Sequence, residues 1–227
     1  MIAAEMSDLP EPSGQPVTLP LPAASGQVVV QAPARKRPRP GERRVQILQT
    51  LAAMLEQPGA ERITTAALAA RLDVSEAALY RHFASKAQMF EGLIEFIESS
   101  VFTLVNQIVE REPSGSVQCQ RIATMLLQFG EKNPGMVRVM VGDALVFEHE
   151  RLIARMNQFF DRVESQFRQS LRSSFDGAGS STPTVDAQAL ASGLTAFIVG
   201  RLQRFARSGF KRSPNEQLEL LLPRLTT

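Results

Sequence analysis

Residues 64–83 constrain this chain more than any other stretch, because they accommodate two short helices with a tight turn between them. A hydroxyl at Thr64 or Thr65 can accept a hydrogen bond from one of the unpaired amides that open a helix. Leu68 and Leu72 then fall four apart on one buried face. Asp73-Val74 makes the turn, Ser75 caps the second helix, and Leu79 and Phe83 repeat the four-residue spacing on its inner side. The remaining positions of that helix are small or polar: Ala77, Ala78, Tyr80, Arg81 and His82. This is the shape of a helix-turn-helix reader, whose second helix enters a DNA major groove. Helical domains also use such pairs for ordinary packing, so the flanking sequence has to decide between the two.

The charge distribution favours the reader. Residues 1–34 contain three acids and no Lys or Arg; residues 35–90 contain ten Lys and Arg against five acids; residues 91–227 contain fifteen of each. The positive excess lies on the segment that carries the helix pair, as phosphate contact requires. Six of the ten residues 35–44 are basic, Arg43 and Arg44 among them. A basic arm at this place is positioned to follow a phosphate backbone or enter the minor groove, with a solvated charge run as the alternative.

Three segments follow from composition and period. Residues 1–40 hold eight of the fourteen prolines and are expected to be a disordered tail ending in the basic arm at 35–44. Residues 41–86 form the expected DNA-binding domain, with a first helix over 43–57 stopped by Pro58-Gly59. Residues 87–227 form an expected helical dimerisation and effector domain. Its helices are read over about 85–110 and 117–131, with a further one opened by Asn133 as cap and Pro134 at its first position. Two last helices carry wide apolar stripes: Leu152, Met156, Phe159, Phe160, Val163 and Phe167, then Leu194, Phe197, Ile198, Leu202 and Phe205. A stripe this wide can fill one monomer's core. In a protein that reads a palindrome it is also expected to meet its copy, because half-site symmetry matches a two-fold axis. Residues 173–183 are expected to be a loop.

The chemistry of an enzyme is missing. His82 and His149 have no second ligand at metal spacing, and Cys119 has no partner base. Neither a glycine-rich phosphate loop nor a nucleophile elbow occurs, so no catalytic residue, metal or cofactor is expected. The start has no basic segment followed by an apolar run, and no unbroken apolar stretch approaches 18 residues. A cytoplasmic protein without a membrane partner is the resulting expectation.

The run Val74-Ser75-Glu76-Ala77-Ala78-Leu79-Tyr80-Arg81-His82-Phe83, followed by Ser85-Lys86, resembles the signature of TetR-type transcriptional regulators. Further stretches are similar to the nucleoid-occlusion members of that family: 62–66, 93–98, 129–135 and 144–148, within a likeness spanning about 43–172. The resemblance implies an all-α, TetR-like homodimer on a double-stranded palindrome, with half-sites roughly 34 Å apart. It also implies association with the nucleoid and an encounter with the tubulin-like division protein FtsZ, whose ring it would block. Most TetR-type regulators instead release DNA when a small ligand fills the C-terminal domain. That is the alternative reading; under the first, no ligand is expected.

On physical grounds Thr64, Thr65, Ser75, Tyr80, His82 and Lys86 are assigned mainly to phosphates, and Glu76, Ala77, Ala78 and Arg81 face or flank base edges. Glu76 can accept from a cytosine amino group, and Ala77 or Ala78 can touch a thymine methyl. For FtsZ, the resemblance points to Phe96, Met125, Gln128, Lys132 and Asn133. Phe96 fits core filling equally well, whereas an amine at Lys132 can attract an acidic or C-terminal peptide.

Overall fold

A computed structural model describes residues 41–57, 62–177 and 181–226; the expectations for the Pro-rich tail, most of the basic arm and the Pro58-Gly59 stop lie outside these. The described residues form helices and turns, with no strand among them. In chain order the helices are α1 (Glu42–Leu55), α2 (Thr65–Leu72), α3 (Glu76–Tyr80), α4 (Lys86–Arg111), α5 (Gly115–Lys132), α6 (Pro134–Met140), α7 (Glu150–Gly177), α8 (Pro183–Arg207) and α9 (Leu218–Leu221). Short 3-10 turns at Asp143–Leu145 and Pro223–Leu225 complete the set.

Hydroxyl caps set the starts of the reader's helices. Thr64 Oγ1 accepts from the Ala67 amide at 3.1 Å, Ser75 Oγ from Ala78 at 3.3 Å, and Ser85 Oγ from Gln88 at 3.2 Å. Each such cap stabilises a helix by about 1 kcal/mol. Asp73 adopts a left-handed φ of 55°, which reverses the chain after α2 and returns its amide to the Ala70 carbonyl. Leu68, Leu72, Leu79 and Phe83 turn inward and are buried with Ile47 and Leu51 of α1.

Helix α4 ties the reader to the rest of the chain. By length and hydropathy it could cross a membrane, but Met89, Phe90, Leu93, Ile94, Ile97, Val101 and Val105 are buried in this fold. The helix packs against α1, α5, α6 and α7. Two glycines permit close approach of backbones. A Cβ on Gly135 of α6 would lie 2.1 Å from the Ala52 carbonyl oxygen of α1, and one on Gly115 of α5 would lie 1.9 Å from that of Ser170 in α7.

Three departures from sequence expectation concern the helices and their packing. Asn133 does not cap α6 with its side chain. Its Nδ2 donates to the Phe129 carbonyl at 2.8 Å and so closes α5, while Pro134 opens α6 as expected. Helix α7 continues to Gly177, so 173–177 is helical rather than loop. The third departure concerns the dimer stripes. Leu152, Met156, Phe159, Val163, Phe167, Leu194, Ile198, Leu202 and Phe205 are buried within a single chain, in the core that α5, α7 and α8 share. They therefore cannot be the surface that meets a second copy. Only Phe160 and Phe197 remain half-buried. Helical period reports that a face is covered, not which chain covers it.

Candidate nucleic-acid interface

The inner side of α3 is held by Leu79 and Phe83, and its outer side is open. Glu76, Ala77, Tyr80, Arg81 and His82 are exposed, Ala78 half so, and Tyr80 retains 45 % of its surface. The Ser75 hydroxyl is occupied in capping α3, and the Thr64 hydroxyl in capping α2. Regular α3 ends at Tyr80. Arg81 and His82 follow in a turn whose amides still bond back to Leu79 and its neighbours, so they continue the same side. Ala77 and Ala78 put little between the α3 backbone and whatever lies against it, which is the condition for close approach to base edges.

Neighbouring helices fix the position of this short helix. Thr65 Oγ1 donates to Glu76 Oε2 at 2.5 Å, linking the start of α2 to the start of α3. One Glu76 oxygen is thus engaged, and the other is left to accept from an outside donor. Arg44 of α1 donates to the His82 carbonyl at 2.9 Å, and its guanidinium lies 4.1 Å from the Phe83 ring centroid. In sequence Arg44 belongs to the basic arm expected on DNA. The structure gives it a role inside the domain, as the tie between α1 and the end of α3. Arg43 is half-buried and bonds to Gln46 at 2.9 Å.

Lys86 also departs from expectation. It is half-buried at the start of α4 and forms an ion pair with Glu148, so its ammonium faces the protein rather than an open phosphate site. Arg151–Glu91 at 2.8 Å and Arg155–Glu98 at 2.7 Å continue the contact, a ladder of three ion pairs between α4 and the chain entering α7. The hydrogen bonds that Arg155 donates to Glu98, opposed by burial, raise the Arg155 pKa above its ordinary value. No sequence signal joins Lys86 to Glu148, which are 62 positions apart.

The residues proposed for a protein partner lie on two packed helices. Met125, Gln128 and Lys132 recur along α5, Phe96 lies on α4, and Asn133 ends α5. Gln128 and Lys132 are exposed, whereas Phe96 and Met125 are half-buried against the core. The Phe and Met residues that a ligand pocket would use are largely packed: Met136, Met140, Met156, Phe159 and Phe167 are buried in the core. A concavity of about 950 Å³ is instead an open cleft between α7 and α8, lined by Ser165, Arg168 and Gln188 together with Val185 and Ala189. No group of His, Cys, Asp and Glu able to hold a metal occurs among the described residues.

Two family models match this chain. Residues 47–93 match bacterial regulatory proteins of the tetR family, and residues 114–227 match the SlmA-like, tetracyclin repressor-like C-terminal domain. The nucleoid occlusion factor SlmA of Aliivibrio fischeri is 52 % identical over 180 residues, covering 79 % of this chain and 91 % of that protein. That of Salmonella newport is 49 % identical over 191 residues, covering 84 % and 96 %. Among solved structures, a TetR-like transcriptional regulator from Rhodococcus matches with a TM-score of 0.65 at 19 % identity, over 83 % of this chain and 97 % of that one. The transcriptional regulator FadR from Bacillus subtilis, solved with stearoyl-CoA, matches with a TM-score of 0.64 at 11 % identity, over 80 % and 97 %.

Proposed function

This chain belongs to the tetR family of bacterial regulatory proteins, in its SlmA-like nucleoid-occlusion branch, and from that footing we propose that it is a DNA-bound antagonist of FtsZ ring assembly. The carrying observation is the outward side of α3, where Ala77, Ala78, Tyr80 and Arg81 are open while Leu79 and Phe83 anchor the helix from within. Ala77 and Ala78 let the helix sit deep in a major groove. Arg81 and the free oxygen of Glu76 read base edges, and Tyr80, His82 and the amides at the helix starts hold phosphates.

Two copies are required for a palindrome. With the apolar stripes used inside each chain, the contact between copies falls on the exposed side of α8 around Ala189, Ser192, Gly193 and Ala196. Nothing stands within 4 Å of a Cβ at Gly193 or Gly200, so a partner helix can come close there. Binding to scattered chromosomal palindromes would place the protein on the nucleoid. The Lys132 ammonium, with Gln128 beside it and Phe96, Met125 and Asn133 forming the wall, would receive an acidic or C-terminal peptide of FtsZ. The reading contains no catalytic step, cofactor or small ligand.

Sedimentation of FtsZ polymers with GTP tests it. Polymer is expected to fall when this protein and a palindromic duplex selected on it are both present, and to stay when either is omitted. Polymer loss that ignores the duplex, or none at all, would overturn the proposal.

A further inference from the structure

Residues 187–215 contain five cations and no acid, an imbalance hidden by the neutral total of residues 91–227. The five are Arg201, Arg204 and Arg207 of α8, with Lys211 and Arg212 in the turn after it. Arg204, Arg207, Lys211 and Arg212 are exposed, and Arg201, Arg204 and Arg212 converge with Ser213 on one shallow concavity. Their local neutralisation is slight. Arg212 reaches Glu216 at 4.0 Å with both side chains half in solvent, and Arg201 lies 5.0 Å from the Phe197 ring. The nearby Glu131 is engaged by Ser213 and by Asn215 Nδ2. Cations gathered around one dent repel each other unless an anion joins them.

The place of this cluster matters. Arg138 of α6 stacks 5.4 Å from Phe210, beside the cluster, and α6 rests on α1 of the reader through Gly135 and Ala52. The cluster therefore sits at the reader-side end of the C-terminal helices. Arg204 and Arg207 continue the α8 face assigned above to the contact between copies. Arginines of two copies meeting there would repel, so that contact stops near Gly200.

We propose that Arg204, Arg207 and Lys211, with Arg201 and Arg212 beside them, form an auxiliary, sequence-independent site for the phosphate backbone of duplex DNA. This rests on the DNA-binding reading above. Guanidinium forks match phosphate oxygens, and the six steps from Arg201 to Arg207 span about 9 Å of helix, enough for more than one phosphate. A site for an acidic peptide would also call for apolar side chains between the cations, and the concavity is lined by Arg201, Arg204, Arg212 and Ser213 alone.

The test is the salt dependence of binding for the full chain and for the triple variant Arg204→Ala, Arg207→Ala, Lys211→Ala, on a selected palindrome and on a short mixed-sequence duplex. All three positions are exposed, so the fold is expected to survive. Loss of three phosphate contacts lowers the slope of log K against log salt by about 2.7 on both duplexes, leaving the ratio between them unchanged. An unchanged slope on both duplexes overturns the proposal. So does a loss confined to the palindrome, and so does a change in the sedimenting mass of the free protein, which would assign these cations to the contact between copies. Polyglutamate binding that the triple variant abolishes, without any change on DNA, would assign the cluster to an acidic protein. A wild-type chain that fails to distinguish the two duplexes would instead remove the reader, and the slope would still decide the auxiliary site.

Discussion

Lys86 and Glu148 form an ion pair between the first residue of α4 and the chain entering α7, with 24 % and 11 % of their side-chain surfaces exposed. The amine that the reader was expected to offer to DNA is thereby joined to the C-terminal helices. Glu148→Gln is expected to destabilise the fold by about 1–2 kcal/mol, read from urea unfolding. It also distinguishes two roles for Lys86. If the freed ammonium reaches phosphate, DNA binding at low salt tightens while Lys86→Ala weakens it. Equal losses in both variants would make the pair purely architectural.

Arg44 is expected to act through α3 rather than on DNA directly. Arg44→Ala loses the bond to the His82 carbonyl and the stack on Phe83, at a cost of about 1–2 kcal/mol. Lys, which has neither the planar fork nor its stacking, should restore little of this. Full recovery in Arg44→Lys, by thermal melting and DNA affinity together, would show that only the charge matters.

A methyl group is enough to disturb two junctions. Gly135→Ala places a carbon 2.1 Å from the Ala52 oxygen, and Gly115→Ala places one 1.9 Å from that of Ser170. Each is expected to cost about 1–3 kcal/mol. Gly193→Ala meets nothing in the single chain and should leave monomer stability intact, so a shift of its dimerisation constant would report on the face between copies.

Burial pushes the Cys119 thiol from 9.0 up to about 12, against a smaller lowering by a hydrogen bond with Ser170. The native protein is expected to resist iodoacetamide at mildly alkaline pH and to react once unfolded. Because the unfolded thiol ionises first, this group's stabilising contribution is complete below 9.0 and fades as pH rises towards about 12. Rapid alkylation of the folded chain would show that the thiol is reachable.

On DNA, Tyr80→Ala is expected to weaken binding evenly across sequences, whereas Ala77→Leu shifts preference. Binding-site selection on the two variants reads the difference. Unaltered affinity and preference in both would mean that α3 does not lie in the groove.

What could be read from sequence was local. The hydroxyls of Thr64, Ser75 and Ser85 cap helices three residues ahead, so the reader's outline is written within about twenty positions. The pairing of Lys86 with Glu148, and the tie from Arg44 to His82, depend on which helices pack together and leave no periodic trace. The stripe of Phe159, Val163 and Phe167 was visible, but its partners are α5 and α8 of the same chain. Asn133 looked like a cap for the helix ahead and closes the one behind, because its amide is both donor and acceptor.

The seat of Gly135 on Ala52 bears on how a palindrome is measured. With a carbonyl occupying the space of a missing methyl, α1 is seated directly on α6, and each reader is expected to move as a jaw with its frame. In a pair of copies on a palindrome, as proposed above, the distance between the two jaws would then be set by the protein. Any mismatch with a given operator must be absorbed by twisting or bending the double helix, so base steps midway between half-sites, touched by no side chain, would be selected for their compliance.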